Sequence, residues 1–222
     1  MGKKGFTLIE LLIVVAIIGV LAAIAVPNFL NAQMRAKIAR AQSDMKSLST
    51  CLEQLRLDRG VMLVDFWDDD YAQGQKRMVE VFKGVGGSAQ NDRGGTAGLW
   101  APLTTPVAYM SSIPVDPFFS ATSKRDTMSQ LISQDVIPPY AYMYADDDPE
   151  IPGSGDIGLS TFVPGNMEAA AHGIKPLLTG QYIMIGAGPD GGRGAYNSVT
   201  GMGFPYDSSN GLASYGDIVM RN

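Results

Sequence analysis

From Phe6 to Val26 the chain runs 21 residues with only Thr7 and Glu10 as polar interruptions. About 20 apolar residues carry a helix across the hydrocarbon core of a bilayer, so this run predicts a membrane-spanning helix. Lys3 and Lys4 stand directly before it, and the positive-inside rule keeps that end in the cytoplasm. Pro27 follows, and a proline within a helix removes a hydrogen bond and favours a kink. Beyond it Ile38, Ala41, Met45, Leu48, Leu52 and Leu55 recur at spacings of 3, 4, 3, 4 and 3. That period places one apolar stripe on a helix. Arg35, Lys37, Arg40, Asp44, Lys46 and Glu53 fall off the stripe. Only this stretch carries the pattern, which suits packing on the chain's own sheet better than a coiled coil. Asp58-Arg59-Gly60 ends the helix, with Gly60 as its C-cap.

The remainder is less regular. Residues 61–100 and 119–139 read as insertions. Met78, Val79 and Phe82 suggest a short helix in the first, and Thr127–Ser133 a helix in the second. Lys83–Gly98 is glycine-rich and reads as an exposed excursion. The runs Asp68-Asp69-Asp70 and Asp146-Asp147-Asp148 read as solvated loops. Ile113-Pro114-Val115-Asp116-Pro117-Phe118 has an aspartate between two prolines, which rigidifies a turn entering the sheet. Tyr140-Ala141-Tyr142-Met143-Tyr144 alternates as a strand does, and Tyr182-Ile183-Met184-Ile185 is a second strand. The latter runs into Gly186-Ala187-Gly188-Pro189-Asp190-Gly191, which formally matches G-x-G-x-x-G. A dinucleotide site needs a helix there to hold the pyrophosphate, and Pro189-Asp190-Gly191-Gly192 is a turn instead.

Composition narrows the function. The formal charge is −5, and it becomes −7 if Lys3 and Lys4 are lost with a leader. An acidic surface argues against non-specific nucleic-acid binding and makes cations better ligands than anions. Cys51 is the only cysteine and His172 the only histidine. An intramolecular disulfide is impossible, and a zinc site of Cys/His type lacks ligands. Cys51 lies within the helical stripe and reads as a buried free thiol. No serine nucleophile motif or convergent catalytic set stands out, so the chain reads as a non-enzyme.

Glu10 needs a reason. A carboxylate inside an apolar helix costs about 2.5–3.5 kcal/mol on insertion scales. It therefore wants a partner, and the helix has no nearby cation. Cleavage after Gly5 would create one, because the α-amine of Phe6 is largely protonated near neutral pH. Within one chain the helix start is poorly placed for that pair, whereas staggered neighbours can form it. Glu10 then sets register between subunits. A secretory signal peptide cut near Ala23-Ile24-Ala25 explains less. The apolar run is too long, it contains an acid, and helical periodicity continues beyond it.

Lys4-Gly5-Phe6-Thr7-Leu8-Ile9-Glu10-Leu11-Leu12 resembles the processing signal of type IV prepilins and type II secretion pseudopilins. The resemblance implies that a prepilin peptidase cuts between Gly5 and Phe6 and N-methylates Phe6. It also implies that Glu10 is the filament glutamate and Pro27 the point where the helix bends or melts during assembly. The implied fold is α+β: a long N-terminal helix, half membrane-spanning and half amphipathic, on a small antiparallel β-sheet with long loops. Residues 1–5 are the leader, 6–28 the transmembrane and assembly helix, and 29–222 the globular domain. That domain is expected in the periplasm on a single-pass inner-membrane anchor, and in the periplasm or at the cell surface once assembled into a filament.

Ile113–Phe118 also resembles a segment of major pseudopilins. The C-terminal stretches Gly188–Gly191, Tyr206-Asp207-Ser208-Ser209-Asn210-Gly211 and Gly216-Asp217-Ile218 are similar to pseudopilin signatures. Major pseudopilins are similar in having a calcium-binding loop in this region, which implies Asp190 as a calcium ligand, and Asp207, Asn210 and Asp217 have the chemistry to supply further oxygens. Calcium takes 6–8 oxygens, often from loops. The expected function is a structural subunit of a type II secretion pseudopilus or related type IV filament. Its partners would be identical and related pilin subunits, the peptidase and an inner-membrane assembly platform. The alternatives are a type IVa or minor pilin in adhesion, motility or DNA uptake and, more remotely, a membrane-anchored enzyme or binding module.

Overall fold

A computed structural model of the chain describes residues 5–65, 68–88, 96–118, 141–151, 177–191, 205–212 and 216–222. Tyr140, the helix expected near Thr127–Ser133, the 119–139 insertion, His172 and Gly192 lie outside the described residues.

Helix α1 spans Leu8–Arg59, 52 residues with Pro27 inside it. At 1.5 Å per residue it is about 78 Å long. The helix continues across Pro27, so the carbonyl of Ala23 is the one that loses its amide donor. Gly60 closes it in the left-handed conformation at φ 72°, with its N–H bonded to the Arg56 carbonyl. The stripe read from the sequence is the buried face: Ala41, Met45, Leu48, Cys51, Leu52 and Leu55, with Ile38 packed at its margin. The half before it behaves differently. Leu8 through Val26, Phe29 and Leu30 present their large apolar side chains outward.

The stripe lies on a three-stranded antiparallel sheet in the order β1-β2-β3: Met143–Asp146, Tyr182–Gly186 and Ile218–Arg221. Met143 pairs with Ile185 and Met184 with Met220. β2 is central and buried along its whole length. Helix and sheet also meet through polar tips. The Tyr142 hydroxyl donates to Asp44 at 3.2 Å, Tyr182 and Ser49 share a hydroxyl pair at 2.9 Å, and Arg56 donates to the Gly180 carbonyl at 3.1 Å.

Short elements fill the far side. A 3-10 turn at Asp68–Asp70 leads into α2, Ala72–Glu80, and α3 spans Thr96–Trp100. The helix suggested by Met78 is therefore present, and Val79 points outward. The excursion expected over Lys83–Gly98 starts exposed at Lys83 and Gly84, and the residues flanking it, Phe82, Leu99 and Trp100, are buried. Gly86 approaches the Gly98 carbonyl so closely that a β-carbon there would lie 2.2 Å from the oxygen. The Trp100 indole donates to the Tyr142 carbonyl at 2.6 Å, and its ring meets Tyr144 edge-on at 5.6 Å.

The glycines at the end of β2 and just beyond it have packing roles. A β-carbon on Gly186 would sit 2.9 Å from both Met45 of α1 and the Tyr142 ring, and one on Gly188 would sit 1.6 Å from the Gly216 carbonyl. The G-x-G pattern lets a helix and a second loop approach the backbone. Gly186→Ala should cost about 1–3 kcal/mol, as overpacking of a core does, because the flexible Met45 tip can move. Gly188→Ala meets rigid backbone and should cost more. Denaturant unfolding of the two variants checks the order.

Candidate functional site

Two places carry chemistry: the start of α1 and the acidic side chains around the sheet.

Gly5 and Phe6 lie outside the helix, and Phe6 is exposed. Thr7 is the N-cap, with extended backbone at φ −85° and ψ 152°. Its hydroxyl accepts the Glu10 amide at 3.3 Å. In return, Oε2 of Glu10 accepts the Thr7 amide at 2.9 Å and the Thr7 hydroxyl at 2.7 Å. This is a capping box, which satisfies orphan donors at a helix start. Glu10 thus has a partner inside its own chain, which the sequence reading overlooked although the Thr-x-x-Glu spacing signalled it. The carboxylate also sits at the positive end of the helix dipole, where an anion is favoured.

Asp116 stands where the proline-flanked turn was expected, and it is buried. Its Oδ1 accepts the Phe118 amide at 2.9 Å, and its Oδ2 accepts the Ala187 amide at 2.7 Å. The turn is thereby fastened to the end of β2. Cys51 is buried and free, with its thiol donating to the Tyr109 carbonyl at 3.4 Å. Burial pushes that thiol above its ordinary pKa, so it is poorly suited to act as a nucleophile.

The structure brings the segments bearing the C-terminal residues together. The Gly216 carbonyl packs against Gly188, 1.6 Å from where its β-carbon would be, and Asp190 Oδ1 lies 3.5 Å from that same position. The Tyr206 amide donates to the Asp217 carbonyl at 2.7 Å. The exposed Asp207 carboxylate caps the following 3-10 turn by accepting the Ser209 amide at 2.8 Å. Asn210 ends that turn. These residues occupy neighbouring loops.

The solvated-loop reading of the two aspartate runs is corrected. Asp68, Asp69, Asp146 and Asp148 are buried. Asp146 ends β1, and Asp148 follows two residues beyond it. Asp148 meets the buried Arg77 guanidinium, which also donates to Glu150 at 2.8 Å and to the Met62 carbonyl at 3.3 Å. Asp65, Asp68 and Asp146 form a separate group, with one oxygen from each within 4.8 Å of the others. Burial, followed by the charges of Asp65 and Asp148, raises the Asp68 carboxyl well above the usual range. Asp146 is raised likewise by burial and then by the charges of Asp68 and Asp65.

Comparison with known proteins gives one family-model match and several partial matches to relatives. Residues 1–26 match the prokaryotic N-terminal methylation motif. The chain is 62% identical over 48 residues to the type IV major pilin protein PilA of Myxococcus xanthus, covering 22% of each chain. It is 42% identical over 76 residues to the fimbrial protein EcpB of Eikenella corrodens, covering 34% of this chain and 48% of that one. The match to the type II secretion system core protein G of Pseudomonas aeruginosa is longer: 29% over 116 residues, 52% of this chain and 68% of the relative. In the two pilin matches the aligned part is less than half of each relative's length. No solved structure matches. The homologues are type IV pilins and a type II secretion pseudopilin, in keeping with the processing motif.

Arg77→Met should destabilise the domain by about 3–5 kcal/mol, because it leaves Asp148 buried without its counter-charge. Adding Asp148→Asn should recover much of that loss. Denaturant titration of the single and double variants measures it. Glu150 is exposed, and its removal should change little.

Proposed function

We propose that the chain is the structural subunit of a filament of the type IV class, held in a membrane by the first half of α1 until assembly. One observation carries this reading. Helix α1 is a single 52-residue element whose apolar first half has none of its most hydrophobic stretch buried in the chain. Such a surface needs lipid, or the same helix of neighbouring copies, to cover it. The methylation-motif match over residues 1–26 supports cleavage between Gly5 and Phe6 and N-methylation of Phe6 by a prepilin peptidase. An inner-membrane platform would receive the processed subunit, with the globular domain in the periplasm.

Within that class we favour a type II secretion pseudopilus. The support is the match to core protein G, which extends well into the globular domain. The second reading is a type IV pilus subunit. It is favoured by the higher identity to the Myxococcus pilin and by the equal share of each chain in that match. Calcium on the C-terminal loops belongs to the pseudopilin reading, and the close packing of Gly188, two residues before Asp190, on Gly216 supports it.

In the filament, Glu10 would exchange its cap for the Phe6 amine of a neighbour, or share its two oxygens between them. Glu10→Gln separates these roles, because glutamine serves in a capping box but carries no charge. The register role expects Glu10→Gln to insert and be processed normally yet yield few filaments. Wild-type filament yield from Glu10→Gln, with loss only in Glu10→Ala, would reduce the residue to a helix cap. Electron microscopy of sheared filaments and mass measurement of the processed subunit read both outcomes.

A further inference from the structure

The buried carboxylates of Asp65, Asp68 and Asp146 lie on the side of the fold where the loop after α1 meets the end of β1. They come from two segments far apart in sequence, and all three are fully buried. Their hydrogen bonds are mostly to one another's main chain. Asp65 Oδ1 accepts the Asp68 amide at 2.8 Å, Asp65 Oδ2 accepts the Asp146 amide at 3.4 Å, and Asp68 Oδ2 accepts the Asp65 amide at 3.4 Å. Asp146 Oδ2 takes the Tyr144 hydroxyl at 2.5 Å. One oxygen from each of the three carboxylates lies within 4.8 Å of the others. Asp68 Oδ1 and Asp146 Oδ1 are buried with no hydrogen-bond partner. Orphaned oxygens of this kind call for an explanation, and an ion is one of the few available.

Charge makes the same demand. Three carboxylates this close cannot all remain ionised in a buried site without a counter-charge. Arg77 is the nearby cation, and its guanidinium is engaged with Asp148, Glu150 and the Met62 carbonyl. We propose that Asp65, Asp68 and Asp146 form a buried site for a hard divalent cation of the calcium class, separate from the C-terminal loops. Oxygens 2.3–2.6 Å from a common ion are up to about 5 Å apart, which accommodates the spacing within 4.8 Å seen here. An all-oxygen anionic set suits calcium, magnesium or manganese and not zinc. Such a cation would fasten the segment after α1 to β1. Gly74 of α2 already packs directly on the Asp68 carbonyl, so a β-carbon there would lie 2.0 Å from that oxygen. The site would therefore hold three elements at once.

The test uses the full chain in detergent micelles, stripped with EDTA. Terbium bound to this group would be sensitised by Tyr144, whose hydroxyl touches Asp146 and whose ring neighbours Trp100. Terbium luminescence under aromatic excitation should therefore appear, and calcium should compete it away. Saturating calcium chloride should raise the melting temperature by roughly 5–10 °C over EGTA. Both responses should vanish in Asp68→Asn and Asp146→Asn and persist in Asp190→Asn. The two asparagine variants should melt no lower than wild type in EGTA, because each removes repulsion. If either fails to fold, the calcium content of the wild-type chain still decides: one ion lost on Asp190→Asn assigns it to the C-terminal loops and overturns the proposal. No terbium signal and no calcium-dependent melting shift in wild type would overturn it as well.

Discussion

One helix has to live in two surroundings, and that requirement organises the molecule. Leu8–Arg59 is continuous, yet its first half offers apolar side chains on all sides and its second half on one stripe. Hydrogen bonds within the backbone allow the first half to sit in lipid, where no water can satisfy them. The second half must find an apolar face, and the three-stranded sheet supplies it. Met45, Leu48, Leu52 and Leu55 form the common core with Ile183, Met184 and Ile185 of the central strand. The sheet is small, and the helix doubles as its cover. The glycine at the end of β2 is part of the same bargain, because it gives Met45 and Tyr142 their room.

The polar side of the fold follows from what the sheet and helix leave over. Loops are numerous, and several are secured by carboxylates bonded to backbone amides. Asp116 fastens the proline turn to Ala187, and Asp65 fastens the loop after α1 to β1. Buried acids cost free energy unless they are satisfied, so each such fastening fixes a geometry as well as contributing stability. Arg77 resolves one cluster by charge. In the neighbouring group of three carboxylates, Asp68 Oδ1 and Asp146 Oδ1 are left without a hydrogen-bond partner.

Much of this was legible in the sequence because it is local. The 3-and-4 stripe, the Gly60 cap, the buried Cys51 and the strand at Tyr182 each rest on residues within a few positions of one another. The processing motif is likewise contiguous. The acid cluster was not legible, since Asp65 and Asp146 are 81 residues apart and runs of aspartate ordinarily mark solvated turns. The hint lay in their flanks: Met62-Leu63-Val64 before Asp65 and Tyr142-Met143-Tyr144-Ala145 before Asp146 are apolar and buried. The glycines before and after Pro189 were read as part of a turn. Their packing role depended on Gly216, which no local pattern connects to them.

The capping box at Thr7 has a consequence for timing. Its amide and hydroxyl both lie beyond the Gly5–Phe6 bond, so a cut at that bond would leave the shape of the helix start as it was. What changes is the electrical character of one nitrogen, from a neutral peptide group to an ammonium next to the positive helix end. The subunit would not have to refold to become competent. A precursor could wait in the membrane fully formed, unable to recruit a neighbour for want of a single charge, and acquire that ability in one hydrolytic event.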